Sequence, residues 1–377
     1  MMKKLLFIVI TLMVWVPVAQ AAFNVPMPNI AADAYVLSDF NSGQILAGSN
    51  IHERIQEASL TKLMTAYLTF KALAEGRIKL DQMVTESTHA WKTGGSRMFI
   101  DPRHPVSINN LILGMITDSG NDAAVTLAET IGGTEGVFTQ MMNEEAQQLG
   151  MHGTHFMNAT GLPNPDHYTT VYDLTLLTRA LIQNFPQYYH FFSVKYFTYN
   201  GITQPNRVHL LWTDPSVDGL KTGYTSEAGY CLIASADRNG MRLISVVAGT
   251  KSESARNTES EKLLNYGFSL FKTRRIYAAN QIVTQDSVWK GSKDRVAAGV
   301  TQDIFLTLPR GQHKDMKATI SVRQPLVAPL SLGEQIGTIN LTLNGQPLAS
   351  YPLVAKQAIP LAGFFGRMWD SMRLMWH

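Results

Sequence analysis

Strand-like segments lie on both sides of a long helical block in the N-terminal part of this chain. Residues 35–37 and 44–46 flank a polar turn, a pattern typical of a β-hairpin. Far downstream, residues 230–234 and 242–247 flank a second turn that ends in Asn239-Gly240. Strands at both ends with a helical block between them suggest one sheet made of distant segments. The pattern therefore predicts an α+β fold with an antiparallel sheet and a helical block.

Apolar residues recur at three- and four-residue spacing through the block between the hairpins. In its first segment, Leu60, Leu63 and Tyr67 share one side, and Gly76 follows as a stop signal. A further segment with this pattern follows the second hairpin. The predicted helices span residues 58–75, 109–116, 121–131, 137–149 and 259–272.

The character of the chain changes beyond residue 273. At 377 residues the chain is long enough for two domains. Its later part alternates apolar and polar residues in short runs at 304–308, 318–322 and 339–343, separated by turn residues. We therefore predict a larger domain over 22–273 and a small all-β domain over 274–357.

The N-terminus has the features of a secretory signal. Lys3 and Lys4 precede an apolar run, and Ala19-Gln20-Ala21 provides a small-residue cleavage site. We predict a signal peptide over 1–21, with an uncleaved membrane anchor as the alternative. Removing the two lysines lowers the net charge from +3 to about +1, which leaves no electrostatic case for nucleic-acid binding. Cys231 is the single cysteine, so an internal disulfide is excluded.

The C-terminal segment 358–377 has an amphipathic helical pattern. Its charged residues lie off the apolar stripe, and Leu374 is the exception to the pattern. The segment is too short and too charged to span a bilayer, but its aromatic residues suit a membrane interface. A helix docked on the β domain is the alternative. The stripe consists of Leu361, Phe364, Phe365, Met368, Trp369, Met372, Met375 and Trp376.

The candidate nucleophile lies at the start of the first helix. Ser59-Leu60-Thr61-Lys62 places a hydroxyl and an amine three residues apart, on one helix face. A buried lysine with a lowered pKa can act as the base for such a serine. The same spacing recurs at 269–272 and 287–290, so the motif alone has little specificity.

Two further motifs follow in a defined order. Ser119-Gly120-Asn121 lies at a break between two predicted helices, and Lys221-Thr222-Gly223 opens the second strand region. The ordered triplet S-x-x-K, S-x-N, K-T-G is typical of β-lactamases and penicillin-binding proteins. The copy of S-x-N at 107–109 does not lie at a break between two predicted helices. The copy of K-T-G at 92–94 adjoins a glycine-rich loop. We therefore choose Ser119 and Lys221.

With these motifs the chain resembles the low-molecular-weight penicillin-binding proteins, serine-type D-Ala-D-Ala carboxypeptidases with a C-terminal β domain and an amphipathic anchor. The resemblance extends over essentially the whole mature chain and implies a β-lactamase/D,D-peptidase-like catalytic domain. Further matches are Glu57-Ala58, Asp122-Ala123-Ala124, Val217-Asp218-Gly219-Leu220 and Leu308-Pro309-Arg310-Gly311.

The resemblance implies a role for each motif residue. Ser59 attacks the carbonyl between the two D-alanines, and Lys62 takes its proton. Ser119 relays a proton to the departing D-alanine, while Asn121 binds the substrate amide and orients Lys62. The remaining implied contacts to the substrate come from Lys221, Thr222, Gly223, Tyr224, Arg207 and Arg256.

The backbone N–H groups of Ser59 and Tyr224 form the implied oxyanion hole. Tyr224 stands where the family often has His, which leaves the rate and pH dependence of turnover open. Arg207 and Arg256 would bind the terminal carboxylate or position the K-T-G segment.

The resemblance also implies partners and a location. The expected substrate is the pentapeptide stem of peptidoglycan, and β-lactam antibiotics are expected as covalent inhibitors. We expect a periplasmic enzyme attached peripherally to the inner membrane, with no metal or cofactor, and the oligomeric state stays open.

Three alternative functions remain. They are a D,D-endopeptidase, a β-lactamase of the same fold and a non-catalytic cell-wall scaffold. A β-lactamase needs a water-activating glutamate, and the E-x-x-L-N string at 261–265 lies after Lys221 rather than before it.

Overall fold

The computed structural model describes residues 25–375, so the predicted signal peptide at 1–21 lies outside the described residues. The described chain divides into two compact units. One unit runs from Pro26 to Thr273, and the other begins at Arg274.

The first unit contains a helical block between two groups of strands. Its strands are β1 (Ala34–Asp39), β2 (Ile45–Ser49), β3 (Met83–Val84), β4 (Val106–Ser107), β5 (Tyr196–Tyr199), β6 (Ile202–Pro205), β7 (Val217–Thr225), β8 (Gly229–Arg238) and β9 (Met241–Thr250). Its helices are α1 (Lys62–Ala74), α2 (Thr88–Lys92), α3 (Ile108–Thr117), α4 (Asn121–Gly132), α5 (Glu135–Gln148), α6 (Val171–Asn184), α7 (Leu210–Thr213) and α8 (Glu253–Leu270). A strand, β10 (Phe271–Tyr277), passes through the boundary between the units.

The two predicted hairpins meet in one antiparallel sheet with the order β2-β1-β9-β8-β7. Both faces of this sheet are covered, so consecutive strand residues are buried in opposite directions. Val36 belongs to the core formed with the helical block. Leu37 and Leu243 instead lie against Gly267 of α8. The sheet is therefore the middle layer of the unit, and its edge strand β7 carries the K-T-G segment.

Helix α8 differs from its prediction over 259–272. It begins at Glu253, where the Ser252 hydroxyl accepts a hydrogen bond from the Ala255 N–H at 3.0 Å. The first two turns are mostly polar, so apolar periodicity could not mark this start, although the serine cap could have. Phe271 and Lys272 belong to strand β10 rather than to the helix.

Helix α6 was not predicted. It begins after Thr170, whose hydroxyl accepts a hydrogen bond from the Asp173 N–H at 3.0 Å. The capping serine or threonine was again the available signal. The other predicted helices agree with α1 and α3 to α5 within a few residues at each end.

The second unit is built around a five-stranded sheet with the order β11-β12-β16-β15-β14. The turn Asn344-Gly345 joins β15 to β16, and both residues have positive φ, which suits asparagine and glycine. The three strands predicted here are present as β13, β14 and β15. The bounds are β11 (Ile282–Ser287), β12 (Arg295–Gly299), β13 (Ile304–Pro309), β14 (Met316–Val322), β15 (Gln335–Leu343) and β16 (Gln346–Ala355).

The final helix, α9 (Phe364–Leu374), begins later than the predicted boundary at 358. Ile359 is fully buried in the β unit and pairs with Leu330 through an isolated β-bridge. Residues 358–362 therefore belong to the β unit. Among residues 25–375, no helix combines the length and the apolar character that crossing a membrane would require.

We predict that Gly267→Val destabilises the first unit. A Cβ atom at this position would lie 2.5 Å from Leu243 Cδ1 and 2.7 Å from Leu37 Cδ2, so a larger side chain separates α8 from the sheet. Overpacking of this kind costs about 1–3 kcal/mol. The urea midpoint of the helical circular dichroism signal should fall, whereas Ser269→Val on the exposed face of α8 should change it little. Equal midpoints for the two variants would contradict this packing.

Candidate active site

The candidate nucleophile Ser59 lies in a tight turn that leads into α1. Residues Ala58–Thr61 form a 3-10 helix, and Ala58 has a φ of 48°, an uncommon value for a residue with a side chain. The Ala58 carbonyl packs so closely on Gly161 that a Cβ at Gly161 would lie 1.7 Å from the oxygen. The turn is thus held in a strained conformation by a neighbouring segment, a situation common at functional sites.

Lys62 lies one helical turn after Ser59 and is almost fully buried. Its Nζ donates hydrogen bonds to Ser59 Oγ at 2.9 Å and to the Thr160 carbonyl at 2.7 Å. Burial, reinforced by the Arg207 charge, lowers the pKa of Lys62 to about 7, while Asp122 opposes the shift. A substantial fraction of the amine is therefore neutral near pH 7, as a base for Ser59 requires.

The segment 158–162 holds Lys62 in place. Asn158 Oδ1 accepts hydrogen bonds from the N–H groups of Thr160 and Gly161 at 3.0 and 2.7 Å, which directs the Thr160 carbonyl towards Lys62. This segment was not predicted from the sequence. The turn residues Asn158, Thr160 and Gly161 were a local signal for a turn, but nothing local links it to a lysine about 100 residues earlier.

A buried polar contact supports the turn from behind. His167 Nε2 lies 3.1 Å from Glu57 Oε1 and 3.0 Å from Thr61 Oγ1, and the Thr61 hydroxyl donates to the Ala58 carbonyl at 2.8 Å. These contacts link the residues on both sides of Ser59 to the segment that follows Gly161. The nucleophile turn is therefore fixed by long-range hydrogen bonds as well as by helix α1.

Ser119 lies between α3 and α4, as predicted, and has a φ of 60°. Its Oγ accepts a hydrogen bond from Lys221 Nζ at 2.9 Å, so the second and third motifs meet directly. Lys221 is almost fully buried, and burial together with the charges of Lys62, Arg207 and Arg256 holds its pKa well below the ordinary value. The structure thus brings two lysines and two serines into one cluster.

Strand β7 approaches the nucleophile turn at Gly223. A Cβ atom there would lie 3.0 Å from the Glu57 carbonyl oxygen and 3.2 Å from Leu60 Cγ. A small residue is therefore favoured in the third position of K-T-G. The next residue, Tyr224, is 54% exposed, and its ring packs against Tyr230 with the centroids 4.2 Å apart and the ring planes tilted by 33°.

Asn121 contacts the rejected K-T-G copy. Its Nδ2 donates to the Gly94 carbonyl at 2.6 Å, and its backbone N–H donates to the Ser96 carbonyl at 2.7 Å. Asn121 Oδ1 is buried and accepts no hydrogen bond from any residue that the structure describes. Lys92 itself is the exposed last residue of α2 rather than part of a loop, so only the glycine end of that copy lies beside Asn121.

The two candidate arginines differ in accessibility. Arg207 is exposed, and its Nη1 donates to Ser96 Oγ at 2.9 Å. Arg256 is 4% exposed, forms an ion pair with Glu253 at 2.6 Å and lies over the Tyr230 ring. The Arg207 side chain is therefore accessible from solvent, whereas Arg256 is buried and its charge helps to lower the pKa of Lys221.

The other S-x-x-K copies do not form a comparable pair. Ser269 lies in α8 and Lys272 in β10, while Ser287 ends β11 and Lys290 follows it. Neither pair shares one helix face. The string at 261–265 lies within α8, as predicted.

Residues 21–252 match the family model described as D-alanyl-D-alanine carboxypeptidase, and residues 271–361 match that of the penicillin-binding protein 5 C-terminal domain. The chain belongs to the D-alanyl-D-alanine carboxypeptidase family. The predicted family, enzyme class and α+β fold with a following β domain are thereby confirmed.

Similar proteins cover both units. The D-alanyl-D-alanine carboxypeptidase DacC of Escherichia coli is 42% identical over 97% of this chain and 94% of its own length. Penicillin binding protein 5 from Haemophilus influenzae is 41% identical, with a TM-score of 0.87 over 89% of this chain and 99% of that chain. Penicillin-Binding Protein D2 from Listeria monocytogenes, in the ampicillin bound form, is 32% identical, with a TM-score of 0.60 over 65% of this chain and all of its own.

We predict that the rate of Ser59 acylation at saturating penicillin rises with pH through about pH 7 and then levels off, because Lys62 accepts a proton only in its neutral form. Lys62→Gln should slow acylation by about 10²–10⁴-fold. The exposed Lys92→Gln provides the matched control and should retain the rate and the profile. A rate that stays flat across this pH range would show that Lys62 is not the base.

Proposed function

We propose that this enzyme removes the terminal D-alanine from peptidoglycan pentapeptides through an acyl-enzyme on Ser59. The observation that carries the proposal is the 2.9 Å contact between Ser59 Oγ and the buried amine of Lys62. This contact joins a nucleophile to a base whose pKa burial lowers to about 7. The family membership supports the same reaction.

In the proposed reaction, Ser59 Oγ attacks the carbonyl carbon between the two D-alanines as its proton passes to Lys62. The tetrahedral intermediate collapses, the C–N bond breaks and the amine of the departing D-alanine receives a proton through Ser119. Water then hydrolyses the ester and frees Ser59. Lys62 with Ser59 and Lys221 with Ser119 form two separate amine–hydroxyl pairs, which are the proposed carriers of these protons.

The positive charges beside the cleft suit the free carboxylate of the substrate. Lys221 and the exposed Arg207 are the proposed direct contacts, with Thr222 beside them on β7. Asn121 is the proposed partner of the substrate amide, because its buried Oδ1 has no hydrogen-bond partner within residues 25–375. The lowered pKa of Lys221 would rise again on contact with a carboxylate, since the added anion favours the charged amine.

The proposed oxyanion hole consists of the backbone N–H groups of Ser59 and Tyr224. The close approach of Gly223 to residues 57–60 supports this assignment, because it brings the end of the K-T-G segment beside the nucleophile turn. Each such donor contributes a few kcal/mol to stabilisation of the transition state. The Tyr224 side chain points to solvent and leaves the role to its backbone.

β-Lactams are the proposed covalent inhibitors, since they carry a reactive carbonyl and a carboxylate in one ring system. The ampicillin-bound form of the Listeria relative supports this proposal. The β-lactamase alternative loses support because the only E-x-x-L-N string in the sequence, at 261–265, lies in α8, after Lys221 rather than before it. The endopeptidase alternative uses the same acyl-enzyme. It differs from the carboxypeptidase in its product, because only the carboxypeptidase releases D-alanine.

We predict that Ser59→Ala abolishes both covalent penicillin labelling and D-alanine release from a pentapeptide, because it removes the nucleophile alone. Ser269→Ala alters a rejected copy of the motif and should leave both signals unchanged. Labelling of Ser59→Ala would contradict the assignment. Labelling without D-alanine release by the wild-type protein would favour the scaffold alternative, and rapid repeated hydrolysis of penicillin the β-lactamase alternative.

We further propose that α9 holds the enzyme on the outer face of the inner membrane. Apolar side chains on one face of the helix are exposed, including Phe365 at 79% and Trp369 at 61%. The opposite face is bound to the β unit, where Asp370 Oδ2 accepts a hydrogen bond from the Lys290 N–H at 2.6 Å and Arg373 lies over the Trp289 ring. Leu374, the exception in the sequence pattern, is half-buried like Asp370.

We predict that truncation after Ala362 releases active enzyme from inner-membrane vesicles. This site keeps the buried Ile359 in the β unit, so penicillin labelling of Ser59 should persist. Phe365→Gln combined with Trp369→Gln should weaken vesicle binding in co-sedimentation, whereas the exposed Thr319→Gln on β14 should not. Undiminished sedimentation of the truncated protein would exclude α9 as the anchor.

A further inference from the structure

Two buried aspartates flank the S-x-N motif, and their surroundings differ sharply. Asp122 accepts hydrogen bonds from the backbone N–H groups of Met98, Phe99, Ile100 and Ala123 at 2.9 to 3.4 Å. Asp118 is 2% exposed, yet its Oδ1 is buried and accepts no hydrogen bond within residues 25–375. Asp122 thus has a clear structural role, whereas a buried carboxylate oxygen without a partner calls for another explanation.

The position of Asp118 disfavours its negative charge further. It is the C-cap residue of α3, where the helix dipole opposes an anion. Burial raises the pKa of Asp118 to about 7, and Asp122 on α4 acts in the same direction. Arg207, beyond β6, and Lys221 on β7 lower that pKa. The protonation state of Asp118 therefore depends on the two cations proposed to bind the substrate carboxylate.

We propose that Asp118 tunes the affinity of this cleft for a substrate carboxylate, because ionised Asp118 competes with that carboxylate for the charges of Arg207 and Lys221. Asp118 precedes Ser119, whose hydroxyl already contacts Lys221, so it lies at the junction of the motifs. A neutral Asp118 leaves both cations available to the ligand. This inference rests on the proposed function, in which Arg207 and Lys221 hold the terminal carboxylate.

The pH dependence has a definite sign. As pH rises through about 7, Asp118 ionises and carboxylate binding weakens. KM should therefore rise, while kcat rises over the same range because Lys62 becomes neutral. Asp118 acts through other residues and is a positioning residue, so the division of its effect between KM and kcat distinguishes it from a group that only supports the fold.

The test measures KM for a tripeptide ending in D-Ala-D-Ala at about pH 6 and pH 8. In the wild type we expect KM to rise by about fivefold or more, within the usual range of coupling between two sites. In Asp118→Asn the rise should disappear, and KM at the higher pH should fall below the wild-type value. Asp81→Asn removes an exposed charge elsewhere and should retain the wild-type profile.

Deprotonation of Lys221 is the competing explanation for a rise in KM with pH. If deprotonation of Lys221 caused the rise in KM, then removing the neighbouring anion would favour the neutral amine and increase KM at the higher pH. Such an increase, or an unchanged profile in Asp118→Asn, overturns the proposal. Asp118→Ser supplies a second neutral variant in case asparagine disturbs the packing. Failure of the proposed function is seen separately, as loss of D-alanine release or Ser59 labelling in the wild type.

Discussion

The burial of one lysine amine beside a serine hydroxyl is the interaction on which the candidate active site depends. An isolated lysine is protonated near pH 7, and a protonated amine cannot take a proton from serine. The protein removes Lys62 from water, which favours the neutral amine, and holds its Nζ 2.9 Å from Ser59 Oγ and 2.7 Å from the Thr160 carbonyl oxygen. Much of the surrounding structure maintains this arrangement. Segment 158–162 directs the carbonyl, and the contact between His167 and Glu57 fixes the turn.

Tight packing of backbone segments explains why the cleft has so little freedom. Gly161 meets the Ala58 carbonyl, and Gly223 meets residues 57–60 from the other side. Side chains at these two positions would push the segments apart. The turn at residues 57–61 is therefore confined between Gly161 and Gly223. This close packing fixes Ser59 and Lys62 relative to strand β7, which carries Lys221. Such fixed positioning is a major source of catalytic power.

Local patterns predicted much of this fold, whereas contacts between distant segments could not be read from them. The S-x-x-K pair is set by helix geometry, and its ordered combination with S-x-N and K-T-G selected copies that form the contacts Lys62 to Ser59 and Lys221 to Ser119. The Thr160 carbonyl, the Gly94 contact to Asn121 and the burial of Asp118 each depend on segments that meet only in the folded chain. Helix α8 shows the same limit in its polar first turns. Its start is marked by a serine cap rather than by apolar spacing.

The contacts that hold α9 on the β unit through Asp370 and Arg373 affect the entropy of its proposed association with a membrane. A helix of 11 residues is marginal in water by itself, and a free peptide of this length would have to fold as it entered the interface. Here the β unit has already ordered the segment, with the aromatic side chains facing outward. For the proposed membrane association, the free energy of ordering the helix is therefore supplied during folding rather than at the bilayer. If α9 is the membrane anchor, as proposed, the helix meets the lipid already folded.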